Sequence, residues 1–394
     1  MAERTRLGLT FSYTEHWIAG SYYILNLIHA LKLLPDKQRP HLHVLLSSNK
    51  EESLIQETAY PYLSFEVIAN PKRTMVNRLF LKVDRYAAQR MSRLISKYRR
   101  LDPHSIDFCF PNPDGFFFEN LSQNQRIYWI PDFQEDHFPD FFSPAEIQGR
   151  KNQQAGLVLK KASIVFSSHT AQEDFNRLYP QNECRQFVVN FAVTHPDFSK
   201  LRPAELQKKY SLPIKFFFSP NQFWQHKNHR VIFEALSILR DRSVECAVVF
   251  SGNPIDHRAP GYFDSLTAVI RELKLENNVY LLGFIDRKEL LCLAQSSIAI
   301  IQPSLFEGWS TVVEDAKALR KHILLSDIPV HREQIQLNSD FFEPKSALHL
   351  ADLMERVWRN PPGDGKDNYA RQVANFGKDF ASVLDSLLHP NFAK

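Results

Sequence analysis

Residues 298–319 read Ile-Ala-Ile-Ile-Gln-Pro-Ser-Leu-Phe-Glu-Gly-Trp-Ser-Thr-Val-Val-Glu-Asp-Ala-Lys-Ala-Leu. The apolar run 298–301 predicts a buried strand, followed by a tight loop and a helix. In a parallel sheet, ligands bind beyond the carboxyl ends of the strands, and a helix N-terminus offers unpaired N–H groups to an anion. The segment therefore predicts an α/β fold with a phosphate site at residues 310–312.

The rest of the chain repeats this alternation of short apolar runs with helical patterns. Strands are predicted at 7–12, 43–47, 63–68, 107–111, 126–130 and 163–167, and a second series at 214–219, 244–251, 279–282 and 322–326. Phenylalanine runs at 116–118 and 216–218 also favour buried strands. Because one core rarely exceeds about 300 residues, the 394 residues predict two doubly wound domains, 1–195 and 196–368, followed by a helix within 369–394 that packs across their junction.

Composition excludes several classes of protein. The net charge is only +4, the four cysteines are far apart, and neither a G-x-G-x-x-G nor a Walker phosphate motif occurs. Structural disulfides, a zinc site and the common NAD and P-loop folds therefore lose support. The N-terminus lacks the apolar run of a signal peptide, and no apolar stretch is long enough to cross a bilayer. We expect a cytoplasmic protein.

Three charged residues are candidates for binding chemistry. Glu307 and Glu314 flank the start of the predicted helix, where carboxylates can accept hydrogen bonds from sugar hydroxyls. Lys227 stands where another strand hands over to a helix, and it could neutralise a diphosphate. The alternatives are that Glu314 only complements the helix dipole and that Lys227 is a solvated surface lysine.

Three motifs together resemble a known family. They are Asn-Gln-Phe-Trp-Gln-His-Lys-Asn-His at 221–229, Gly-Phe-Ile-Asp-Arg-Lys-Glu-Leu at 283–290, and Pro-Ser-Leu-Phe-Glu-Gly-Trp-Ser-Thr-Val-Val-Glu at 303–314. In order and spacing they resemble the donor-site motifs of group 1 (family 4) retaining glycosyltransferases. The resemblance implies a GT-B fold, in which two Rossmann-like domains face each other across a cleft. It also implies transfer of a hexose-type sugar from a nucleotide diphosphate-sugar with retention, without a metal or cofactor.

The resemblance assigns roles to individual residues. Lys227 would contact the diphosphate, Glu314 the ribose, and Glu307 the transferred sugar, with Lys227 and Glu307 as catalytic candidates. Gly20 and Ser21 would lie in the first strand-to-helix loop, near phosphate or acceptor. The remaining donor-binding residues implied are Gln222, Gly252, Phe284, Ile285, Gly308, Trp309, Ser310, Thr311 and Val312.

The chain departs from the family pattern at three places. Gln222 replaces a frequent arginine, which weakens the expected neutralisation of phosphate. Glu135 replaces a histidine that follows Asp-Phe-Gln in related chains, and either Glu135 or His137 could fill that role. Only six residues separate Glu307 from Glu314, where the family usually has seven, and we expect the loop to absorb the difference.

The acceptor is suggested by a basic amphipathic pattern at 72–100, with ten Lys or Arg and one acid. Such a helix can lie on anionic lipid, which would suit a lipid-linked or glycan acceptor in surface polysaccharide or lipopolysaccharide synthesis and a peripheral contact with the inner membrane. It can equally pack on the sheet with a solvated basic face. No nucleic-acid motif accompanies it. Two alternative functions stay open, a protein that binds nucleotide sugar without transfer and another GT-B enzyme such as a phosphorylase or sugar-nucleotide epimerase.

Overall fold

A computed structural model describes residues 4–13, 18–68, 100–365 and 368–389. The strands are β1 (Arg6–Phe11), β2 (His41–Leu46), β3 (Leu63–Val67), β4 (Phe108–Phe110), β5 (Ile127–Ile130), β6 (Ser163–Phe166), β7 (Arg185–Val188), β8 (Phe217–Ser219), β9 (Val248–Phe250), β10 (Val279–Leu281), β11 (Ile300–Gln302), β12 (Ile323–Ser326) and β13 (Ser339–Phe342). The helices are α1 (Ile18–Lys32), α2 (Glu52–Gln56), α3 (Gln134–His137), α4 (Pro144–Leu159), α5 (His169–Leu178), α6 (Pro203–Lys209), α7 (His229–Asp241), α8 (Tyr262–Glu272), α9 (Arg287–Ser296), α10 (Thr311–Ala318), α11 (Pro329–Gln334), α12 (Ala347–Arg359) and α13 (Tyr369–Leu388).

Parallel strands form both sheets. In the first domain the order is β3-β2-β1-β4 and then β5-β6-β7, and a parallel bridge between Cys109 and Arg126 joins the two groups. In the second domain the order is β10-β9-β8-β11-β12-β13. In each domain the chain adds strands on one side of the strand that comes first in the sequence, β1 or β8, and then returns to add strands on its other side. This is the doubly wound pattern, which opens a crevice at the carboxyl ends of the strands. The fold is therefore GT-B, with two Rossmann-like domains.

The two domains have separate cores. In the second domain, Phe216 and Phe217 are fully buried and point to opposite faces of the sheet, so each face packs against its own layer of helices. This explains why the strands read as continuous apolar runs rather than as alternating ones. Helix α13 packs mainly on the first domain, where Phe376 and Phe380 join the core formed by β1 and α1, and it also contacts α10 of the second domain.

Close packing between α13 and α1 depends on one glycine. A Cβ atom built on Gly377 would overlap the carbonyl oxygen of Ala30 and lie 3.2 Å from the backbone nitrogen of Leu31. Backbone atoms cannot move aside as a flexible side chain can. Helix α13 can therefore pack closely on α1 only because Gly377 has no side chain.

We expect Gly377→Ala to lower the free energy of unfolding by about 1–3 kcal/mol because the added methyl overpacks this contact. The matched control is Gly149→Ala in exposed helix α4, where a Cβ meets nothing within 4 Å. There the better helix propensity of alanine should stabilise the protein by about 0.5–1 kcal/mol. Urea unfolding measures both changes, and equal effects at the two sites would contradict the packing role of Gly377.

Three expectations need correction or completion. Phe116–Phe118 form a 3₁₀ turn rather than a strand, because Gly115 adopts a φ of +102° and turns the chain before them. Strands β7 and β13 were not predicted, since Arg185 and Ser339 open them with polar residues at a sheet edge. The basic segment 72–100 lies outside the described residues except for Arg100. No helix in the described part of the chain has the length and apolar character needed to cross a bilayer.

Candidate active site

A cleft of about 920 Å³ separates the two domains. Its walls are the loops that follow β1 and β5 on one side and β8, β9, β10 and β11 on the other, together with parts of helices α4, α9 and α10. The carboxyl ends of the parallel strands in both domains therefore face the same space. Concave sites of this volume, with a few convergent polar groups, suit an extended small ligand.

An ion pair between Lys227 and Glu307 lies in the cleft. The Lys227 Nζ atom is 2.6 Å from Glu307 Oε1, and the two side chains are only 13% and 10% exposed. The same carboxylate oxygen accepts hydrogen bonds from Gln302 Nε2 and Ser304 Oγ. Burial opposes ionisation of Glu307, but the charge of Lys227 and the hydrogen bonds from Lys227 and Ser304 together hold the pKa of Glu307 below its usual range.

Local backbone geometry places Lys227 at this point. The chain leaves β8, makes a short 3₁₀ turn over Gln225–Lys227, and Asn228 then adopts the left-handed conformation with a φ of 53° before α7 begins. Asn228 Nδ2 donates hydrogen bonds to the carbonyl oxygens of Pro303 and Pro344. Asparagine tolerates this conformation better than most residues, so Asn228 ties the lysine loop to the loop that carries Glu307.

The N-terminus of α10 borders the cleft beside this pair. Ser310 is its N-cap, and the Ser310 side chain accepts a hydrogen bond from Val313 N. Ser310 N itself donates to Gln334 Oε1. Thr311 and Val312, in the first turn, line the cleft, so the positive end of the helix dipole faces the space next to Lys227.

The facing wall comes from the loop after β5. Asp132 and Gln134 line the cleft, and Gln134 N donates to Asp132 Oδ1 at 3.1 Å. Desolvation raises the pKa of Asp132, and the nearby carboxylate of Glu307 adds to the rise. The walls meet at Gly308, where an added Cβ would overlap the carbonyl oxygen of Pro131 and lie 3.0 Å from Asp132 Cβ.

The structure corrects the role expected for Glu314. This side chain is 1% exposed and does not line the cleft. Its carboxylate accepts hydrogen bonds from Lys317 Nζ, Gln334 Nε2 and Tyr369 Oη, so it joins α10 to α11 and to the C-terminal helix. Glu314 is a structural carboxylate at the junction of the domains and does not reach the ligand space.

Asp315 lines the cleft in its place. Exactly seven residues separate it from Glu307, so the family spacing is kept and no loop has to absorb a deletion. Arg287 binds both carboxylate oxygens of Asp315, at 2.7 Å and 2.5 Å, and His195 Nε2 lies 2.9 Å from Oδ1. Burial opposes ionisation, but the charge of Arg287 and the hydrogen bonds with His195 and Arg287 together lower the pKa of Asp315.

Four residues expected at the site in the first domain are not in it. Glu135 is 2% exposed and binds Arg150 and Gln154 of α4, at 3.0 Å and 2.7 Å. His137 Nε2 pairs with Asp174 at 2.6 Å, outside the cleft. Both residues lie in α3, where Glu135 is buried behind the cleft-lining side chains of Arg150 and Gln154 and the His137 ring packs 5.1 Å from that of Phe306. Gly20 and Ser21 lie within α1 rather than in a loop, and the neighbouring residues Ala19 and Tyr22 line the cleft instead.

The other expected donor-binding residues do line the cleft: Gln222, Gly252, Phe284, Ile285, Gly308, Trp309, Ser310, Thr311 and Val312. Gln222 Oε1 accepts from Asn253 N, which fixes the loop after β9. Trp309 Nε1 donates to the carbonyl oxygen of Phe191 in the segment that connects the domains. Sequence reasoning missed Asp132, Gln134, Arg287 and Asp315, although Asp132 and Gln134 belong to the Asp-Phe-Gln motif. Within the described ranges, no group of three or more His, Cys, Asp or Glu is placed to hold a metal ion.

Three buried histidines lie in or behind the site. Burial lowers the pKa of His226 and of His229 to about 3 and that of His331 to about 4. In an unfolded chain a histidine titrates near 6.5. Between about pH 6.5 and 4 the unfolded chain therefore binds protons that the folded protein does not, so stability is lost as the pH falls.

We expect the free energy of unfolding to fall between pH 7.0 and 5.5, with each histidine contributing a slope of up to about 1.4 kcal/mol per pH unit. His229→Phe should remove one of these contributions, because the His229 ring is fully buried and stacks on Phe223 at 4.5 Å. Urea unfolding at the two pH values tests this. An unchanged slope in the variant would show that His229 does not titrate as described.

Comparisons with known proteins agree with this geometry. The fold and the cleft define a GT-B protein. Residues 205–379 match the family model of glycosyl transferases group 1. The O-antigen chain mannosyltransferase RfbU of Salmonella typhimurium is 21% identical over 216 residues, which cover 55% of this chain and 56% of that protein. The match thus spans little more than half of the relative.

Solved structures with low sequence identity share the whole fold. Anabaena Alr3699/HepE, solved in complex with UDP and glucose, superposes with a TM-score of 0.65 at 15% identity, covering 98% of this chain and 100% of that one. WaaG, a glycosyltransferase involved in lipopolysaccharide biosynthesis, gives a TM-score of 0.57 at 12% identity, covering 99% and 100%. At these identities the likeness establishes the GT-B architecture.

Proposed function

We propose that this protein transfers a hexose-type sugar from a nucleotide diphosphate-sugar to a hydroxyl acceptor, with retention of configuration and without a metal ion. The observation that carries the proposal is the Lys227–Glu307 ion pair, set in the interdomain cleft beside the N-terminus of α10. This arrangement brings a cation and a helix dipole to the place where a departing diphosphate gains charge. The Glu307 carboxylate lies next to this cation and can accept hydrogen bonds from sugar hydroxyls.

The reaction follows from these positions. The bond between the anomeric carbon and the diphosphate oxygen breaks as the acceptor oxygen bonds to the same face of the sugar, and the acceptor proton passes to the departing phosphate. Lys227 and the first turn of α10 stabilise the charge that the leaving diphosphate acquires. Asp132 and Glu307, which both line the cleft, flank the transferred sugar and orient it. In this scheme the chain supplies no nucleophile.

The relatives support the substrate class. The Salmonella typhimurium relative is an O-antigen chain mannosyltransferase, WaaG acts in lipopolysaccharide biosynthesis, and the Anabaena structure holds UDP and glucose. A nucleotide sugar as donor and a glycan or lipid-linked acceptor of surface polysaccharide are consistent with the substrates named for these relatives. Peripheral membrane contact through residues 72–100 is a further prediction, which rests on the basic amphipathic pattern of that segment.

A second candidate function is binding of nucleotide sugar without transfer. It is favoured by Gln222, which anchors the loop after β9 and cannot neutralise phosphate, and by Glu135, which is buried against Arg150 and Gln154 and does not line the cleft. The two candidates differ in turnover but share the donor site.

Incubation with a panel of UDP-, GDP- and dTDP-sugars in the presence of EDTA tests the proposal, with nucleoside diphosphate release as the readout. We expect slow hydrolysis of one donor without acceptor and faster release with lipid-linked glycan acceptors, with the anomeric configuration preserved in the product. Donor binding in a thermal-shift assay without any release would favour the binding protein. Sugar 1-phosphate formed from a glycan and inorganic phosphate, or epimerised nucleotide sugar as the product, would indicate the other GT-B chemistries.

A further inference from the structure

Besides the Lys227–Glu307 pair, the cleft lining contains two groups of residues, called here its two arms. The first arm consists of Phe284, Ile285 and Leu290 of the second domain with Tyr22 of α1. The Arg287 guanidinium lies 5.5 Å from the centre of the Tyr22 ring, so this arm contains contacts from both domains. The exposed ring of Phe284 and the apolar side chains beside it suit a planar base.

The second group of lining residues is called here the α4 arm. One wall is helix α4, and the other is the loop after β9 with Trp224 from the loop after β8. Its lining residues are Trp224, Glu146, Arg150, Gln153, Gln154, Asp256, His257 and Arg258. A ligand that places its nucleoside in the first arm leaves the residues of the α4 arm for the second substrate.

The walls of the α4 arm are held together across the domains. Arg258 of the second domain lies 4.0 Å from the centre of the Phe142 ring and 3.7 Å from Glu146, both in the first domain. Arg150 contacts the same ring at 5.0 Å. Phe142 therefore lies in contact with two guanidinium groups, one from each domain.

Charges in the α4 arm are matched rather than in excess. Arg150 is paired with Glu135 at 3.0 Å and Arg258 with Glu146 at 3.7 Å. The Asp256 carboxylate accepts hydrogen bonds from the backbone N–H groups of Gln225 and Arg258. An anionic ligand would have to break these pairs. The α4 arm is thus lined by planar polar groups and aromatic rings and carries no excess of charge. Such a lining favours a ligand that offers hydroxyl groups and apolar C–H faces.

A buried amide at the inner end of the α4 arm lacks a partner. Gln134 is 7% exposed and lines the cleft, and its Nε2 atom forms no hydrogen bond with any part of the chain that the structure describes. Buried donors without partners are rare, and each calls for an explanation. Gln134 lies beside Asp132, whose carboxylate is close enough to Glu307 to be affected by its charge, and a substrate hydroxyl in this part of the cleft could accept from this donor.

We propose that the α4 arm binds the acceptor as an uncharged sugar residue, with its reacting hydroxyl beside Gln134 Nε2. The assignment rests on the proposed function, and it names the acceptor class that the function leaves open. Gln134 positions the hydroxyl, Gln153 contributes polar contacts from α4, and Trp224 supplies an aromatic surface. An acceptor ending in a neutral hexose fits this site better than one ending in a uronic acid or a sugar phosphate.

Saturation-transfer NMR tests this with the full chain and named probes. The neutral probes are methyl α-D-mannoside, methyl α-D-glucoside, methyl α-D-galactoside and methyl N-acetyl-β-D-glucosaminide, and the charged probes are glucuronate and glucose 6-phosphate. Each is titrated with and without the best-binding nucleoside diphosphate among UDP, GDP and dTDP. The variants are Gln134→Leu and Gln153→Ala, and the control is Gln148→Ala, an exposed glutamine of the same helix whose amide bonds Asn152 and does not line the cleft.

We expect at least one neutral glycoside to bind the wild type and the Gln148→Ala control equally, with affinity about tenfold lower in Gln134→Leu and also reduced in Gln153→Ala. Gln134→Leu should not lower the free energy of unfolding, because the lost N–H group has no partner to leave behind. Tighter binding of the charged probes, no binding of any neutral glycoside, or unchanged affinity in both variants would overturn the assignment. A protein that binds glycosides but no nucleoside diphosphate would refute the proposed function and leave the sugar site standing.

Discussion

Replacing Lys227 with methionine is expected to lower sugar transfer by about 10²- to 10³-fold, the loss seen when one preorganised donor to a developing charge is removed. Methionine keeps most of the volume of the lysine stem but cannot neutralise the departing diphosphate. The effect should fall on kcat more than on KM, because the leaving group gains charge in the transition state. Steady-state kinetics with the active donor measure both parameters.

The same substitution leaves Glu307 buried without its cation, which should destabilise the fold by about 3 kcal/mol. The double variant Lys227→Met with Glu307→Gln separates the two effects, since a neutral pair should restore stability but not activity. Lys209→Met is the matched control, because Lys209 pairs with Glu289 on the exposed surface of the second domain. If the double variant regained activity together with stability, Lys227 would have only a structural role.

Substituting Gly308 with alanine is expected to reduce transfer by about 10²-fold with little change in the stability of either domain. A Cβ at this position overlaps the carbonyl oxygen of Pro131, so the loop carrying Asp132 must move away from Lys227 and Glu307. Displacement of a reacting geometry by about 1 Å is sufficient for a loss of this size. Kinetics and urea unfolding of the same preparation give both numbers.

Gly149→Ala provides the control for this variant, since it makes the same chemical change where nothing lies within 4 Å. Nucleoside diphosphate binding by Gly308→Ala should change much less than turnover, because Lys227 and α10 belong to one domain. Full activity in Gly308→Ala would show that the first domain does not need to approach the second as closely as the structure has it.

The fold and the second-domain half of the site could be predicted from the sequence because they are local. Lys227, Glu307 and residues 308–312 each follow a buried strand by a few residues, and the carboxyl ends of parallel strands meet at one edge. Short loops leave little freedom in where such residues lie. The resemblance supplied their roles, and the structure brings these residues together in one cleft.

Helix phase explains the exchange of Glu314 for Asp315. Thr311 and Asp315 are four residues apart and lie on one face of α10, whereas Glu314 is rotated by about 100° from Asp315. That rotation directs Glu314 towards Lys317, one turn further on, and towards Tyr369 of the C-terminal helix. The helical periodicity was available in the sequence, but the partner Tyr369 is 55 residues away and only the tertiary structure reveals it.

The first-domain half of the site was harder to predict because contacts with residues far away in the sequence decide where its side chains lie. Glu135 is buried against Arg150 and Gln154, which lie 15 and 19 residues later on α4. His137 is fixed by Asp174 on α5. Sequence spacing within the motif gives no sign of either contact, so the role expected for a residue after Asp-Phe-Gln was assigned to the wrong side chains.

The most direct test of the account compares binding of nucleoside diphosphates and monophosphates by isothermal titration, for the wild type and for the Lys227→Met, Glu307→Gln double variant. If Lys227 and α10 hold the diphosphate, the wild type should bind the diphosphate form of one nucleotide at least about tenfold more tightly than its monophosphate, and the variant should lose that preference while still binding the nucleoside. Equal affinity for the two forms in the wild type, or an unchanged preference in the variant, would contradict a diphosphate site at Lys227.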